Sequence, residues 1–95
     1  MPVAKMDHHN RTTAERIYRH PTSHNIQWHD VKTLLESLGE CRETKHDSFE
    51  VKAGDIIGFI HGPLTRELTI DQVVQTRHLL RDLGVTEDAL VKHAS

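Results

Sequence analysis

Ninety-five residues, 36% hydrophobic and 4% aromatic, read as one small domain with a modest core and leave little room for a second core. A single cysteine, Cys41, excludes an intramolecular disulfide and fits a reducing cytosol. The formal charge of −2, with nine histidines counted neutral, makes the chain a poor electrostatic magnet for nucleic acid, whose affinity comes largely from phosphate neutralisation.

Residues 1–24 hold four basic residues, Lys5, Arg11, Arg16 and Arg19, against Asp7 and Glu15, so the acidic balance lies in the rest of the chain. The opening MPVAKMDHHN lacks the apolar stretch of a signal peptide, and the longest apolar run, IIGFI, is far too short to span a bilayer. The expectation is a cytoplasmic protein with no membrane partner. No sustained apolar period runs through residues 1–24, and Pro21 biases His20 toward an extended backbone. The segment reads as an arm, irregular or partly helical, with a short helical turn at Thr13 to Tyr18. It is also the candidate contact for a partner or for a homodimer.

From Gln27 the pattern changes. Trp28, Val31, Leu34, Leu35 and Leu38 recur at helical spacing, Gly39 supplies the C-terminal cap, and Ser23 or Asn25 supplies the N-cap. Trp28, the first apolar residue of that stripe, reads as core rather than as a base-stacking platform. Three short segments follow with strand character, at about 40–45, 48–53 and 56–61, the last two joined by the turn AGD at 53–55. After a loop at His61-Gly62-Pro63 comes TIDQVVQTRHLLRDLG. There Thr69 and Gln72 have capping-box spacing, and Ile70, Val73, Val74, Leu80 and Leu83 make the apolar stripe. Gly84 ends this helix as Gly39 ends the first. Residues 86–95 read as a short C-terminal helix or tail, leaving 25–85 as the folded domain.

The order α-β-β-β-α predicts an α+β fold. A three-stranded antiparallel sheet is covered on one face by two helices and left open on the other. Strand alternation places Phe49, Val51 and Ala53 under the helices, and His46, Ser48, Glu50 and Lys52 on the open face. Two readings of His46 stand side by side, a solvated turn residue and a proton-transfer group, with Lys45 and Asp47 beside it and Arg42 across the turn. IIGFIH is apolar on both faces, so alternation does not decide its orientation, and Gly58 marks a bulge or a close backbone approach. The many histidines do not read as a metal site: no Cys-x-x-Cys is present, and His20 and His24 flank Pro21 and share no helix face.

With that order in place, the sequence resembles the HicA family of small RNA-cleaving toxins, whose fold is similar to the double-stranded-RNA-binding domain. TKHDSF sits where the family carries its histidine motif at the second strand, with His46 matching the histidine and Phe49 the aromatic. FIHGPLTREL resembles the family's close of the third strand, with His61 and Gly62 in register and REL at 66–68. The resemblance covers residues 26–85. Thr44 and Lys45 replace the family's glycine and serine, and the domain is acidic where members are basic. The resemblance implies metal-independent RNA hydrolysis with His46 catalytic, no cofactor, and neutralisation by a HicB-type antitoxin. Lys45, Lys52, Arg42 and Arg66 are then the candidates for RNA binding or charge stabilisation, and His61 for support of the loop. The competing expectation is a non-catalytic module that kept the fold and binds a protein partner.

Overall fold

The structure, a computed structural model, describes residues 6–19, 21–22, 24–44 and 47–92. Asp7 caps the first helix, α1 (His8–Tyr18), its Oδ1 accepting from the Asn10 N–H at 2.8 Å. The expected arm is therefore helical over eleven residues, longer than the turn placed at Thr13 to Tyr18. It is also part of the core. Ala14, Ile17 and Tyr18 are buried, and α1 packs against three other helices. Its inward face includes Asn10 and Thr13 among the apolar residues, so no clean hydrophobic period announced it.

The second helix, α2 (Trp28–Leu38), buries all five residues of its predicted stripe. Its cap differs from expectation. Gln27 holds the N-cap position with no side-chain bond, and Ser23 lies outside the described residues. Asn25 sits at φ +67° instead, its carbonyl accepting from Arg16. The reason is a short bridge between Gln27 and Glu67, in which the Trp28 N–H donates to Arg66 O at 2.9 Å. Backbone from a distant loop thus satisfies a helix-start donor that a cap would otherwise take.

Gly39 then turns the chain straight into β1 (Glu40–Glu43), which pairs antiparallel with β2 (Ser48–Ala53), itself paired antiparallel with β3 (Ile56–His61). The sheet order is β1-β2-β3. Gly54 at φ +61° and Asp55 make the tight turn that sets the register Ala53↔Ile56 through Ser48↔His61. Phe49 and Val51 are buried under the helices with Ile60, and Trp28 meets Phe49 edge-on at 4.8 Å between ring centroids.

The third-strand ambiguity is resolved at Gly58. A Cβ there would collide with Leu79 Cδ1 of α3 (Ile70–Asp82), so the helix lies close beneath β3. Ile60 points inward, while Ile57 and Phe59 lie on the open face at 54% and 41% exposure. Thr69 and Gln72 form the predicted capping box of α3. After Leu83, Gly84 adopts φ +86°, with Gly84 N–H donating to Arg81 O and Val85 N–H to Leu80 O. That is a left-handed Schellman ending. Gly39, by contrast, is extended at φ −174° and is small because Lys52 O would lie 2.5 Å from an added Cβ. The two similar Leu-Gly endings therefore terminate their helices by different means. A final helix, α4 (Glu87–Lys92), packs on α1. The architecture is the expected α+β one: helices on one face of an open three-stranded antiparallel sheet.

Candidate functional site

The helix-free face of the sheet is a ladder of three rows. Glu40, Lys52 and Ile57 form one, Arg42, Glu50 and Phe59 the next, and Ser48 pairs with His61 at the end where β2 begins. Lys52 is exposed on this face. Arg42 is not an unattached cation: its Nε donates to Glu50 Oε2 at 2.8 Å. That carboxylate already answers the guanidinium charge, which weakens Arg42 as a phosphate ligand. Arg66 is exposed in the loop after β3, where its carbonyl serves α2, and no contact among the described residues joins its side chain to the sheet face. Lys45 and His46, the central pair of the motif, lie outside the described residues.

The corner next to them is well defined. The Thr44 N–H donates to Ser48 O at 2.8 Å, closing the β1–β2 connection, and Asp47 stands at φ +53°, a left-handed conformation that aspartate tolerates. Glu43, Thr44, Asp47, Ser48, Gly62 and Leu64 line a hollow of about 170 Å³ at this corner. Ser48 Oγ and His61 Nδ1 share a hydrogen bond at 3.2 Å, and the His61 ring stacks near-parallel on Phe59 with centroids 6.0 Å apart.

His61 was expected to support the loop, and here backbone and ring divide the work. Gln75 Oε1 accepts from the His61 N–H at 2.8 Å, and Gln72 Nε2 donates to His61 O at 3.3 Å and to Pro63 O at 3.0 Å. The Gly62-Pro63 turn is thus ordered by two glutamines of α3 acting on backbone groups. The His61 imidazole instead meets Ser48 and Phe59 and is exposed to solvent. The sequence places Ser48 on the open face and Gln72 in a capping box, but assigns neither of them, nor Gln75, a part in this corner. The tight Gly54-Asp55 turn carried that information, because counting outward from Ala53↔Ile56 brings Ser48 opposite His61.

Trp28 is core, as its place in the stripe implied. His9 pairs with Asp30 at 3.1 Å on the helical side, far in sequence from the sheet motif. Among the described residues, no three His, Cys, Asp or Glu side chains gather as a metal ion would require, and no helix is long and apolar enough to cross a membrane. Comparison with protein-family models, with curated proteins and with solved structures returns no match.

Proposed function

We propose that the chain is a HicA-like, metal-independent endoribonuclease that works on the open face of the sheet. The observation that carries this reading is the corner where Ser48 and His61 meet the connection bearing His46, on a face that no helix covers. In the proposed reaction His46 takes the proton from a ribose 2′-hydroxyl, whose oxygen attacks the adjacent phosphorus. The P–O5′ bond breaks, a 2′,3′-cyclic phosphate forms, and the leaving 5′ oxygen takes up a proton. His61, with its ring on the same corner, is the second imidazole able to supply that proton. Lys45 and Lys52 stabilise the charge that builds on the phosphate. Arg66 contacts RNA from the loop. Phe59 offers a base a stacking surface beside His61. A HicB-type antitoxin would cover this face, in a cytoplasmic toxin–antitoxin pair.

The test is RNA cleavage by the purified chain in EDTA, with product ends identified, alongside His46→Ala and His61→Ala. EDTA-resistant cleavage leaving cyclic phosphate ends is expected. It should fall about 10²- to 10⁴-fold in His46→Ala and by a smaller factor in His61→Ala. Equal cleavage by the parent and folded His46→Ala proteins would end the assignment.

A second reading has its own observation behind it. The Arg42–Glu50 ion pair and the exposure of Ile57 and Phe59 suit a protein-binding face better than a phosphate-binding one. On that reading the chain is a non-catalytic module, with a homodimer through residues 1–24 among its assemblies. No cleavage by any of the three proteins would favour it.

A further inference from the structure

The two edges of the sheet are protected very differently. β1 presents Glu40, Arg42 and Glu43 along four residues, a short and charged edge of the kind that discourages strand addition. β3 presents Ile57-Gly58-Phe59. Its outward backbone can be assigned from the ladder. Because Thr44 N–H bonds Ser48 O, the groups of Ser48, Glu50 and Lys52 face β1, and those of Phe49, Val51 and Ala53 face β3. Ile57, Phe59 and His61 therefore turn their N–H and C=O groups outward. Those of His61 are taken by Gln75 and Gln72. For Ile57 and Phe59, no partner is found among the described residues.

Beside this edge runs a groove of about 260 Å³ between β3 and α3, with Gly58 and Leu79 as its floor and His78 and Asp82 on its helix wall. Asp82 is the only formal charge in that lining. We propose that this groove binds an extended segment of a partner protein, of apolar–basic–apolar sequence, as a fourth strand on β3. The two apolar residues pair with Ile57 and Phe59, exchange hydrogen bonds with their free backbone groups, and pack beside their side chains on the open face. The basic residue between them lies opposite Gly58 and points to the other side of the sheet. Leu79 already fills the space beneath Gly58, so the basic side chain runs past it along the groove, with its stem against Leu79 and its charge at Asp82.

A second copy of the chain is the poorer occupant for a geometric reason. Paired strands lie about 4.8 Å apart, whereas packed helices need 8–10 Å. Since α3 lies directly beneath β3, two copies joined by β3 would press their α3 helices into one space. A lone strand brings no helix. Nucleic acid is disfavoured by the carboxylate of Asp82 in the groove wall.

The experiment uses the full chain, labelled with ¹⁵N, and an acetylated, amidated peptide Thr-Thr-Val-Lys-Val-Thr-Thr. Two controls accompany it, one with glutamate for the lysine and one with both valines N-methylated. Saturating peptide is expected to slow amide exchange at Ile57 and Phe59 about tenfold or more. The glutamate peptide should bind about tenfold more weakly, and the methylated one should not protect. Asp82→Lys, an exposed change at a helix C-terminus that favours cations, should reverse the lysine-over-glutamate preference. Unchanged exchange at both amides in millimolar peptide would overturn the proposal. So would an unaltered preference in Asp82→Lys, or protection that grows with protein concentration alone and so assigns the edge to a second copy. Protection produced by oligouridylate and not by peptide would overturn it in favour of RNA.

Discussion

Tyr18 and Cys41 show how single side chains were placed by forces that a linear reading does not display. The Tyr18 hydroxyl donates to Val85 O at 2.7 Å in a buried setting, and its ring lies 5.9 Å from the Arg81 guanidinium. Tyr18→Phe should therefore lower stability by about 1–3 kcal/mol, because it leaves a buried carbonyl unpaired. Urea unfolding reads this directly. Burial pushes the Tyr18 phenol above its ordinary 10.0, with smaller opposing contributions from Arg81 and Arg77 and a reinforcing one from Glu87. Burial likewise raises the Cys41 thiol from 9.0 to about 11, helped by Glu36 and opposed by Lys32. Both groups hold their protons longer when folded than when unfolded, so stability is fully present below the unfolded values and falls as pH rises above about 9. The double variant Tyr18→Phe, Cys41→Ala should flatten that alkaline fall, measured as the urea midpoint against pH. At pH 8, alkylation of Cys41 should be about 100-fold slower in the folded chain than in urea, in proportion to its thiolate fraction. The likeness of Gly39 to Gly84 misled at this same scale. One is small because Lys52 O crowds it and the other because its φ is positive, and only the folded backbone distinguishes the two causes.

At the scale of elements, α2, the three strands and α3 were legible because each carries its period or its turn in contiguous residues. β3 was legible as a strand but not in its orientation, which Leu79, far along the chain, decides by pressing on Gly58. Gly58→Ala should accordingly cost about 1–3 kcal/mol by overpacking. In a Leu79→Ala background the same change should cost much less, and a double-mutant cycle by urea unfolding measures that coupling. The first helix was the least legible element. Its inward face mixes Asn10 and Thr13 with Ala14 and Ile17, and the interior it fills is made by three other helices. Ile17→Ala is expected to lower stability by about 2–5 kcal/mol, a core-sized loss that an arm would not show. The open-face corner was half legible. Alternation and the hairpin turn together put Ser48 against His61, whereas the glutamines that hold the backbone of His61 come from a helix whose position no local pattern reveals.

For the whole molecule, charge and closure decide behaviour. The −2 balance with neutral histidines means that RNA affinity should be weak at pH 8 and should rise on acidification as the net charge of the chain turns positive. A binding isotherm at two pH values and two salt concentrations checks this. Affinity that is high at pH 8 and insensitive to salt would contradict the picture, and cleavage confined to acid would say little about a cellular role. Closure depends on the far ends of the described chain. Tyr18 is fastened to Val85, and Arg77 donates twice to Ile17 O, at 3.0 and 3.2 Å, across sixty positions. During synthesis α1 precedes α2 and can pack on it early, yet its bonds to Arg77 and Val85 form only after α3 has followed. The Ile17 carbonyl and the Tyr18 hydroxyl thus wait for these partners while everything between them and Val85 is translated. A pause in that interval leaves the nascent chain open to chaperones and proteases, and places the decisive folding step after residue 85 has emerged.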